Sequence, residues 1–569
     1  MSLRARDLVF WYEKMNSFLR WYSRIWALQQ LLLLQNFASN FESSFEIGQG
    51  LAMIGVLFVP NIYFFSLALL SRIVATLIKM PYVHDSKNWW LQTDLAVLIL
   101  LWTKQEERIV PTVQRMMSIY YFFAAFWKVN TSFLDHRYSC ASIFVAQLVA
   151  AYLPHSFVVE SKNELGYIIS RTSPYLTLSI EFACALTIWQ NQSEFITRIG
   201  ICLALLLHFG IAITPSPNAI VSFGVGCLVR LFLLLDPDSA NNVLSAAFML
   251  KSSSFILPFI IWGGAALVAT TFVQEKEATN NPLDPTAEGA GLNRALFLFA
   301  ALAIIILLST FSKCTKKTPK QSNFFFILLA FCYGLGGPLT GIQDLGSATM
   351  FANFRMFGGS NHYLLPAALL QRFEIGPYSG GLIRVEDTNS TWIRHITNYP
   401  GDLTSAIAQE ARDLLAAGGH STKYFNAMLN VESSPRIYPQ LLSDELLKSS
   451  ANQNQNVPNI RFTIPASDLQ RLIYEARHIN ESFSLTYAQL PGTTGDELWR
   501  SYATKSLHEI HFNQTGHLVH CLTDDAPCDS DMIENFFYSQ PAWILKKLLL
   551  AMPYPILEDN ATELHCFGP

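Results

Sequence analysis

The sequence predicts a multi-pass α-helical membrane bundle followed by a soluble α+β C-terminal domain. The chain has 569 residues, of which 51% are hydrophobic and only 14% are charged, far from the balance of a soluble enzyme of this length. Long apolar runs fill the sequence as far as Gly341, whereas mixed polar sequence begins at Ser347. Several runs approach the roughly 20 residues with which a helix crosses a bilayer while satisfying its own backbone polar groups.

This pattern divides the chain into three parts. Residues 1–45 form an aromatic and basic segment, either an amphipathic helix in the membrane interface or a first membrane helix. Residues 46–342 form the membrane domain, and residues 343–569 form the α+β domain. The predicted spans are Ile47–Leu70, Asp94–Thr103 with its flanks, Arg115–Val129, Ser139–Leu153, Tyr175–Trp189, Ile196–Ile213, Ala219–Leu235, Phe255–Phe272, Ala295–Phe311 and Phe324–Leu339.

Loop charges predict the orientation of the bundle. The short loop near its end carries Lys313, Lys316, Lys317 and Lys320 without an acid, which is typical of the cytoplasmic side. One further crossing places the α+β domain on the opposite side, lumenal or extracellular, with the endoplasmic reticulum or another endomembrane as the expected location. The domain also carries glycosylation sequons, which predict a glycoprotein, at Asn389, Asn480, Asn513 and Asn560.

Periodicity within the α+β domain predicts its elements. Helical spacing covers Leu403–Ala416 and Ala466–His478, while strand alternation covers Ile460–Ile464 and Phe483–Gln489. A hairpin is predicted over Leu507–Cys521 about a turn at residues 513–516, and the stretch 449–458 is predicted to be a loop.

The cysteines and histidines of the chain predict no metal centre. Five cysteines in or beside apolar runs are interpreted as buried thiols: Cys140, Cys184, Cys202, Cys227 and Cys332. A disulfide is expected among Cys521, Cys528 and Cys566, with one left over. The polar domain clusters four histidines at positions 508, 511, 517 and 520, but strand residues three apart face opposite sides, so His508 and His511 do not share an ion.

Ionisable residues at membrane depth are the best functional candidates in the sequence. Lys128 closes an aromatic run and is either a helix-end lysine that snorkels to the headgroups or a desolvated amine that serves as a base. Glu181 lies in an apolar run and must be protonated, paired or hydrated, with Lys128 or Arg198 as a partner. His208 is either a catalytic imidazole or a buried one that bonds a neighbouring helix.

Four segments carry a family resemblance. They are Tyr120-Tyr-Phe-Phe-Ala-Ala-Phe-Trp-Lys-Val-Asn-Thr-Ser-Phe-Leu, His208 with the helix that reaches Phe223, Pro81-Tyr-Val-His-Asp-Ser-Lys-Asn-Trp-Trp-Leu, and Thr349-Met-Phe-Ala-Asn-Phe-Arg-Met-Phe-Gly-Gly-Ser-Asn-His-Tyr-Leu-Leu-Pro. Over residues 47–366 the chain resembles the horizontally transferred transmembrane (HTTM) domain family, which includes the vitamin K-dependent gamma-carboxylases. The segment that begins at Thr349 is similar to a block that follows the last membrane helix in HTTM-like proteins of algal type.

This resemblance implies a carboxylase-like enzyme of the carbon–carbon lyase class that uses a reduced, vitamin K-like quinone. Lys128 would be the base that deprotonates the quinone, His208 would lie in the same pocket, and Asn88 and Glu181 would contact the cofactor. A polypeptide substrate would be presented on the lumenal side. The chain departs from the family where Trp127 precedes Lys128 in place of paired lysines, and where Trp89 follows Asn88 in place of a histidine.

A second hypothesis is non-catalytic: a membrane transporter or scaffold whose helices anchor a partner-binding lumenal domain. Nucleic acid is not an expected partner of either, because the formal charge is -4 and no basic stripe is present. The lipid bilayer is a partner under both hypotheses.

Overall fold

The computed structural model shows a mostly helical chain with an antiparallel sheet near its C-terminus. It describes residues 15–33, 44–80, 85–190, 193–215, 221–248, 256–272, 292–312, 321–340, 348–349, 352, 382–390, 392–393, 407–421, 461–489, 506–538 and 554–555. The lysine loop at 313–320, the predicted loop at 449–458, His84, Cys314, Asn560 and Cys566 lie outside these residues.

Most of the helical part shares one apolar core. Its helices of nine or more residues are α1 (Ser17–Leu33), α2 (Ser44–Phe58), α3 (Ile62–Lys79), α4 (Asp85–Trp102), α5 (Ile109–Trp127), α6 (Cys140–Tyr152), α7 (Lys162–Trp189), α8 (Glu194–Ile213), α9 (Val221–Phe232), α10 (Pro237–Ala247), α11 (Gly264–Phe272), α12 (Leu292–Phe311) and α13 (Phe324–Thr340). Helix α6 and the first half of α7 belong to a second core. A helical turn (Ile256–Pro258) and a π-helical segment (Phe259–Gly263) lead into α11.

The N-terminal segment packs into the bundle. Tyr22 and Trp26 of α1 are fully buried, and Trp26 packs edge-on against Phe65 of α3. Of the two alternatives for this segment, the structure therefore agrees with a helix of the bundle, because a helix lying on the surface would leave one face of its aromatic residues uncovered.

The predicted span Ile47–Leu70 is wrong as a single helix. The chain breaks between α2 and α3 at Pro60, whose ring removes a backbone N–H, and Asn61 then caps α3 by accepting a hydrogen bond from the amide of Phe64 at 2.8 Å. Two packed helices of 15 and 18 residues replace the predicted crossing. Within the described residues, two helices have the length and apolar composition to cross a membrane, Glu194–Ile213 and Arg294–Phe311, and the other apolar helices are shorter.

The C-terminal part contains a seven-stranded antiparallel sheet of order β6-β5-β4-β3-β1-β2-β7. Its strands are β1 (Leu382–Thr388), β2 (Phe462–Pro465), β3 (Phe483–Gln489), β4 (Ser506–Phe512), β5 (Leu518–Thr523), β6 (Ala526–Pro527) and β7 (Tyr554–Pro555). Helix α15 (Ala466–His478) covers one face with Leu469, Leu472 and Ile473, forming a core separate from that of the bundle.

The sequence predicted this region closely. Helix α15 and strand β3 have the predicted bounds, and β4 and β5 form the predicted hairpin, in which Asn513 bonds His517 across the turn. The predicted helix Leu403–Ala416 appears as α14 (Gln409–Ala417), and residues 401–406 lie outside the described part.

Helix α14, which lies between β1 and β2 in the sequence, packs on the bundle. It contacts α6 and α7, and its Leu414 and Leu415 are fully buried there. Gly166 of α7 allows the close approach, since a Cβ at this position would stand 2.4 Å from the carbonyl oxygen of Leu414. The first half of α7 therefore serves as the docking surface for α14.

The disulfides agree with the expectation for the polar domain and correct one for the bundle. Cys521 and Cys528 are bonded to each other. Cys140, predicted to be a buried free thiol, is buried but disulfide-bonded at the start of α6.

Candidate functional site

A buried ion pair lies at one end of the bundle. Lys128 Nζ is 2.9 Å from both carboxylate oxygens of Glu181, and the two side chains are only 4% and 10% exposed. The ammonium also donates to the carbonyl oxygen of Ala124 at 3.2 Å. Of the two partners that the sequence offered Glu181, the structure selects Lys128, because Arg198 bonds Glu194 and the carbonyl oxygen of Ser312 instead.

The pairing of α5 with α7 places this site. The two helices run antiparallel, and side chains of α5 donate hydrogen bonds to backbone carbonyls of α7. Gln114 donates to the carbonyl of Ile188 at 2.7 Å, and Ser118 donates to the carbonyl of Ala185 at 2.6 Å. Lys128 directly follows the last residue of α5, where backbone carbonyls lack helical partners and the helix dipole favours a cation. The lysine therefore turns inward towards Glu181 and does not snorkel.

His208 lies on the same side of α5. Its Nε2 is 2.6 Å from the hydroxyl of Tyr121, and its ring packs edge-on against Phe223 with centroids 5.2 Å apart. Tyr121 and Lys128 are seven residues apart, which is two helical turns or about 10 Å along one face. His208 is buried, and its Nδ1 has no hydrogen-bond partner in the described structure.

Asn88 is buried near the start of α4, but no hydrogen bond joins it to Lys128, Glu181 or His208 among the described residues. The neighbouring residue Trp89 does contact this site, since its indole packs against the ring of Tyr121 with centroids 6.4 Å apart. The structure therefore brings Lys128 and Glu181 together and places His208 about two helical turns away. Asn88 is not bonded to any of the three in the described structure.

An open surface depression of about 820 Å³ is formed by residues that follow Lys128 in the chain, and neither Lys128 nor Glu181 is among its described lining residues. Its lining is Val129, Asn130, Leu134, Asp135, His136 and Arg137. Although burial alone raises the pKa of the Asp135 carboxyl, its hydrogen bonds with Arg137 outweigh that effect and leave the pKa lowered. Burial lowers the pKa of His136, so near neutral pH the mouth carries the Asp135 carboxylate, the Arg137 guanidinium and an uncharged imidazole.

Two buried polar atoms near Tyr121 have no hydrogen-bond partner in the described structure. They are Nδ1 of His208 and the indole N–H of Trp89, and both lie among aromatic rings. A hydroxylated ring would satisfy such atoms, with the rings of Tyr121 and Phe223 on either side of it. The depression at residues 129–137 includes neither His208 nor Trp89 among its described lining residues.

Sequence reasoning missed a second buried charged cluster. Arg230 of α9 bonds Asp94 of α4 at 2.7 Å, with both side chains at most 1% exposed. The sequence contains the feature that could have revealed this cluster, because Arg230 lies in the apolar run of a predicted span just as Glu181 does.

The histidines of the polar part separate as predicted. His508 is buried, stacks on Tyr487 and bonds the hydroxyl of Thr523, whereas His511 lies opposite His520 on the other face of the hairpin. Among the described residues, no group of three or more histidine, cysteine, aspartate or glutamate side chains is arranged to hold a metal ion.

Comparison with known proteins gives one match. A protein-family profile described as a domain of unknown function (DUF8388) matches residues 360–547, which is about a third of the chain and holds six of the seven strands. No curated protein matches the chain. No solved structure matches it either.

Proposed function

We propose that the chain is a multi-pass membrane enzyme of HTTM type in which the Lys128–Glu181 pair transfers a proton to or from a lipid-soluble, quinone-type cofactor. The observation that carries the proposal is the pair itself, a lysine and a carboxylate that are bonded to each other and buried beside an aromatic run of α5. Buried ionisable pairs of this kind are enriched at functional sites.

The outer surface of the helices supports insertion into a bilayer. Large apolar side chains on many different helices point away from the core, among them Leu51, Leu67, Leu186, Leu206, Leu267 and Phe324. The interior, by contrast, holds ion pairs and polar side chains. An apolar exterior around a partly polar interior suits lipid better than water. The shorter helices would cross as parts of a packed bundle.

The two ends of the bundle differ in a way that supports the proposed orientation. Arg198 contacts the carbonyl of Ser312 and Thr112 contacts the amide of Asn323, so basic residues and both flanks of the lysine loop share one end. At the other end Asn130 bonds the carbonyl of Ala352, and Cys140 forms its disulfide. Disulfides form in oxidising compartments, as expected for a lumenal end.

In this proposal the pair, rather than Lys128 alone, transfers the proton. Because the ammonium lies within 2.9 Å of the carboxylate, the carboxylate is the ready proton acceptor and the ammonium orients it and can donate in turn. Nε2 of His208 bonds the hydroxyl of Tyr121, which leaves Nδ1 to face the cofactor ring. The aromatic shell excludes water from the transfer.

The cofactor, when bound, would supply the base that removes a proton from a glutamate side chain. The residues that would hold its ring are His208, Trp89 and the surrounding aromatic side chains. The depression at residues 129–137, together with the sheet domain, would receive the polypeptide substrate on the lumenal side.

The test is quinone turnover by the full chain in lipid nanodiscs. Reduced vitamin K, oxygen, carbon dioxide and a glutamate-containing peptide are supplied, and quinone oxidation is followed by chromatography. We expect Lys128→Ala and Glu181→Gln each to lower the rate at least about 100-fold, in line with the loss of a general acid–base group. Lys162→Ala is the control, because that lysine bonds the half-exposed Asp413 far from the pair. Turnover at the wild-type rate in Lys128→Ala would refute the proposal.

The separate core of the sheet supports the alternative of a non-catalytic scaffold. A scaffold would retain partner binding when the C-terminal part is tethered to an unrelated membrane helix, and in the full chain Lys128→Ala would leave binding unchanged. Loss of binding in that tethered form would count against the scaffold.

A further inference from the structure

A second charged cluster lies inside the bundle, away from the Lys128–Glu181 pair. Its centre is the Asp94–Arg230 pair, in which one guanidinium nitrogen stands 2.7 Å from Oδ1 of Asp94. Trp26 of α1 donates to the same oxygen at 3.1 Å, and Thr93 accepts from Nε of Arg230 at 3.2 Å. Four helices, α1, α3, α4 and α9, contribute side chains to the cluster.

The charges of this cluster do not balance. Arg72 of α3 is half-buried beside Asp94 and Arg230, and its guanidinium bonds Thr76 at 3.0 Å. No ion pair joins Arg72 to a carboxylate in the described structure. Two guanidinium groups therefore share one carboxylate, which leaves a net charge of about +1 in the interior.

The cluster also has an excess of hydrogen-bond donors. The hydroxyl of Tyr22, Nε2 of Gln29 and the indole N–H of Trp90 are buried without partners among the described residues. Each belongs to a side chain at the cluster: Gln29 reaches Arg230 at 3.5 Å, Trp90 lies 5.5 Å from its guanidinium, and Tyr22 interacts electrostatically with Arg230 and Asp94. The one unpartnered acceptor is Oδ2 of Asp94.

We propose that this cluster is a binding site for a small monovalent anion, with Arg72 and Arg230 as its cationic groups and the donors of Tyr22, Gln29 and Trp90 around it. A single anion would balance the excess positive charge and would also accept hydrogen bonds from these three unpartnered donors. Water alone would satisfy donors but would leave the charge, and a metal cation would add to it.

The burial pattern limits what can enter. Arg230 is 0% exposed, so a lipid headgroup on its chains cannot reach it, whereas a free ion can pass the half-buried Arg72. Chloride and bicarbonate have the size and charge that fit. This site does not rest on the quinone proposal, since none of its residues contacts Lys128, Glu181 or His208 through a described hydrogen bond.

The experiment measures thermal unfolding of the full chain in detergent by tryptophan fluorescence. Sodium gluconate is replaced stepwise by sodium chloride, and in a second series by sodium bicarbonate, at constant ionic strength and pH. We expect a saturable rise of the unfolding temperature by about 2 °C or more, because a ligand that binds only the folded state stabilises it. Arg72→Gln should weaken the apparent affinity for both anions at least tenfold.

Two controls make the result decisive. Arg171→Gln removes an exposed arginine of α7 that packs only on Tyr167, and it should leave the anion response unchanged. If Arg72→Gln does not fold, chloride-35 line broadening on the wild-type chain, reversed by bicarbonate and weakened in Trp90→Phe, tests the same site. An unsaturable salt effect, an unchanged response in Arg72→Gln, or line broadening that bicarbonate does not reverse would overturn the proposal.

Discussion

At the scale of single residues, Lys128 and Glu181 depend on one another. Each side chain would carry an unpaired charge in the interior without the other, and removing one partner of a buried pair costs about 3–5 kcal/mol. Replacing both partners with apolar residues of similar size removes both charges together and is often neutral.

We therefore expect Lys128→Ala to lower the free energy of unfolding by about 3–5 kcal/mol, while the double variant Lys128→Met/Glu181→Leu restores most of it. Denaturant-induced unfolding of both variants in detergent measures the difference. The double variant should still lack quinone turnover, which separates a catalytic pair from a merely structural one. Equal losses of stability in the single and double variants would contradict the pairing.

The sequence predicted that Glu181 needs a buried partner, but it did not predict the pairing of Asp94 with Arg230. The rule that a carboxylate in an apolar run requires a partner led to Glu181 and reduced the choice to Lys128 or Arg198. Only the packing of α5 on α7 decides between them. Arg230 and Asp94 are 136 positions apart, and nothing in the local pattern joins them.

At the scale of elements, the contact between α7 and α14 is a close packing of a helix from the C-terminal part on the bundle. A Cβ on Gly166 would overlap the backbone of α14, which cannot move aside as a flexible side chain could. The leucines of α14 would lose their burial with it.

Gly166→Ala should therefore release α14 without unfolding the bundle. Hydrogen exchange over residues 409–417 is expected to rise at least tenfold while exchange over α5 stays unchanged. Gly210→Ala is the matched control, since a Cβ on that helical glycine has nothing within 4 Å. Unchanged exchange in Gly166→Ala would show that the docking tolerates the methyl group.

The elements of the sheet were easier to predict than those of the bundle. Alternation and turn residues are local signals, so β3, α15 and the β4–β5 hairpin follow from short windows of sequence. An apolar run does not reveal where a helix stops, and the break at Pro60 shows that one residue without an N–H outweighs 24 residues of suitable hydropathy in the predicted span 47–70.

At the scale of the whole molecule, the proposed orientation predicts where sugars are attached. Asn480 is exposed in a left-handed backbone conformation after α15, and Asn389 is exposed at the end of β1. Both sequons would face the glycosylation machinery if the sheet domain is lumenal.

We expect the full chain expressed in eukaryotic cells to migrate faster after endoglycosidase treatment. Asn480→Gln should remove one increment of that shift, and the double variant with Asn389→Gln should remove two. A chain without any endoglycosidase-sensitive shift would place the domain on the cytoplasmic side.

Helix α7 gives these separate features a mechanical connection. It is a single rod of 28 residues that carries the docking glycine near one end and Glu181 some fifteen positions later, roughly 22 Å along its axis. Pro174 lies between them, where a missing backbone hydrogen bond lets the rod bend. A displacement of α14 would therefore be transmitted along α7 towards the carboxylate of Glu181, with a bend at Pro174.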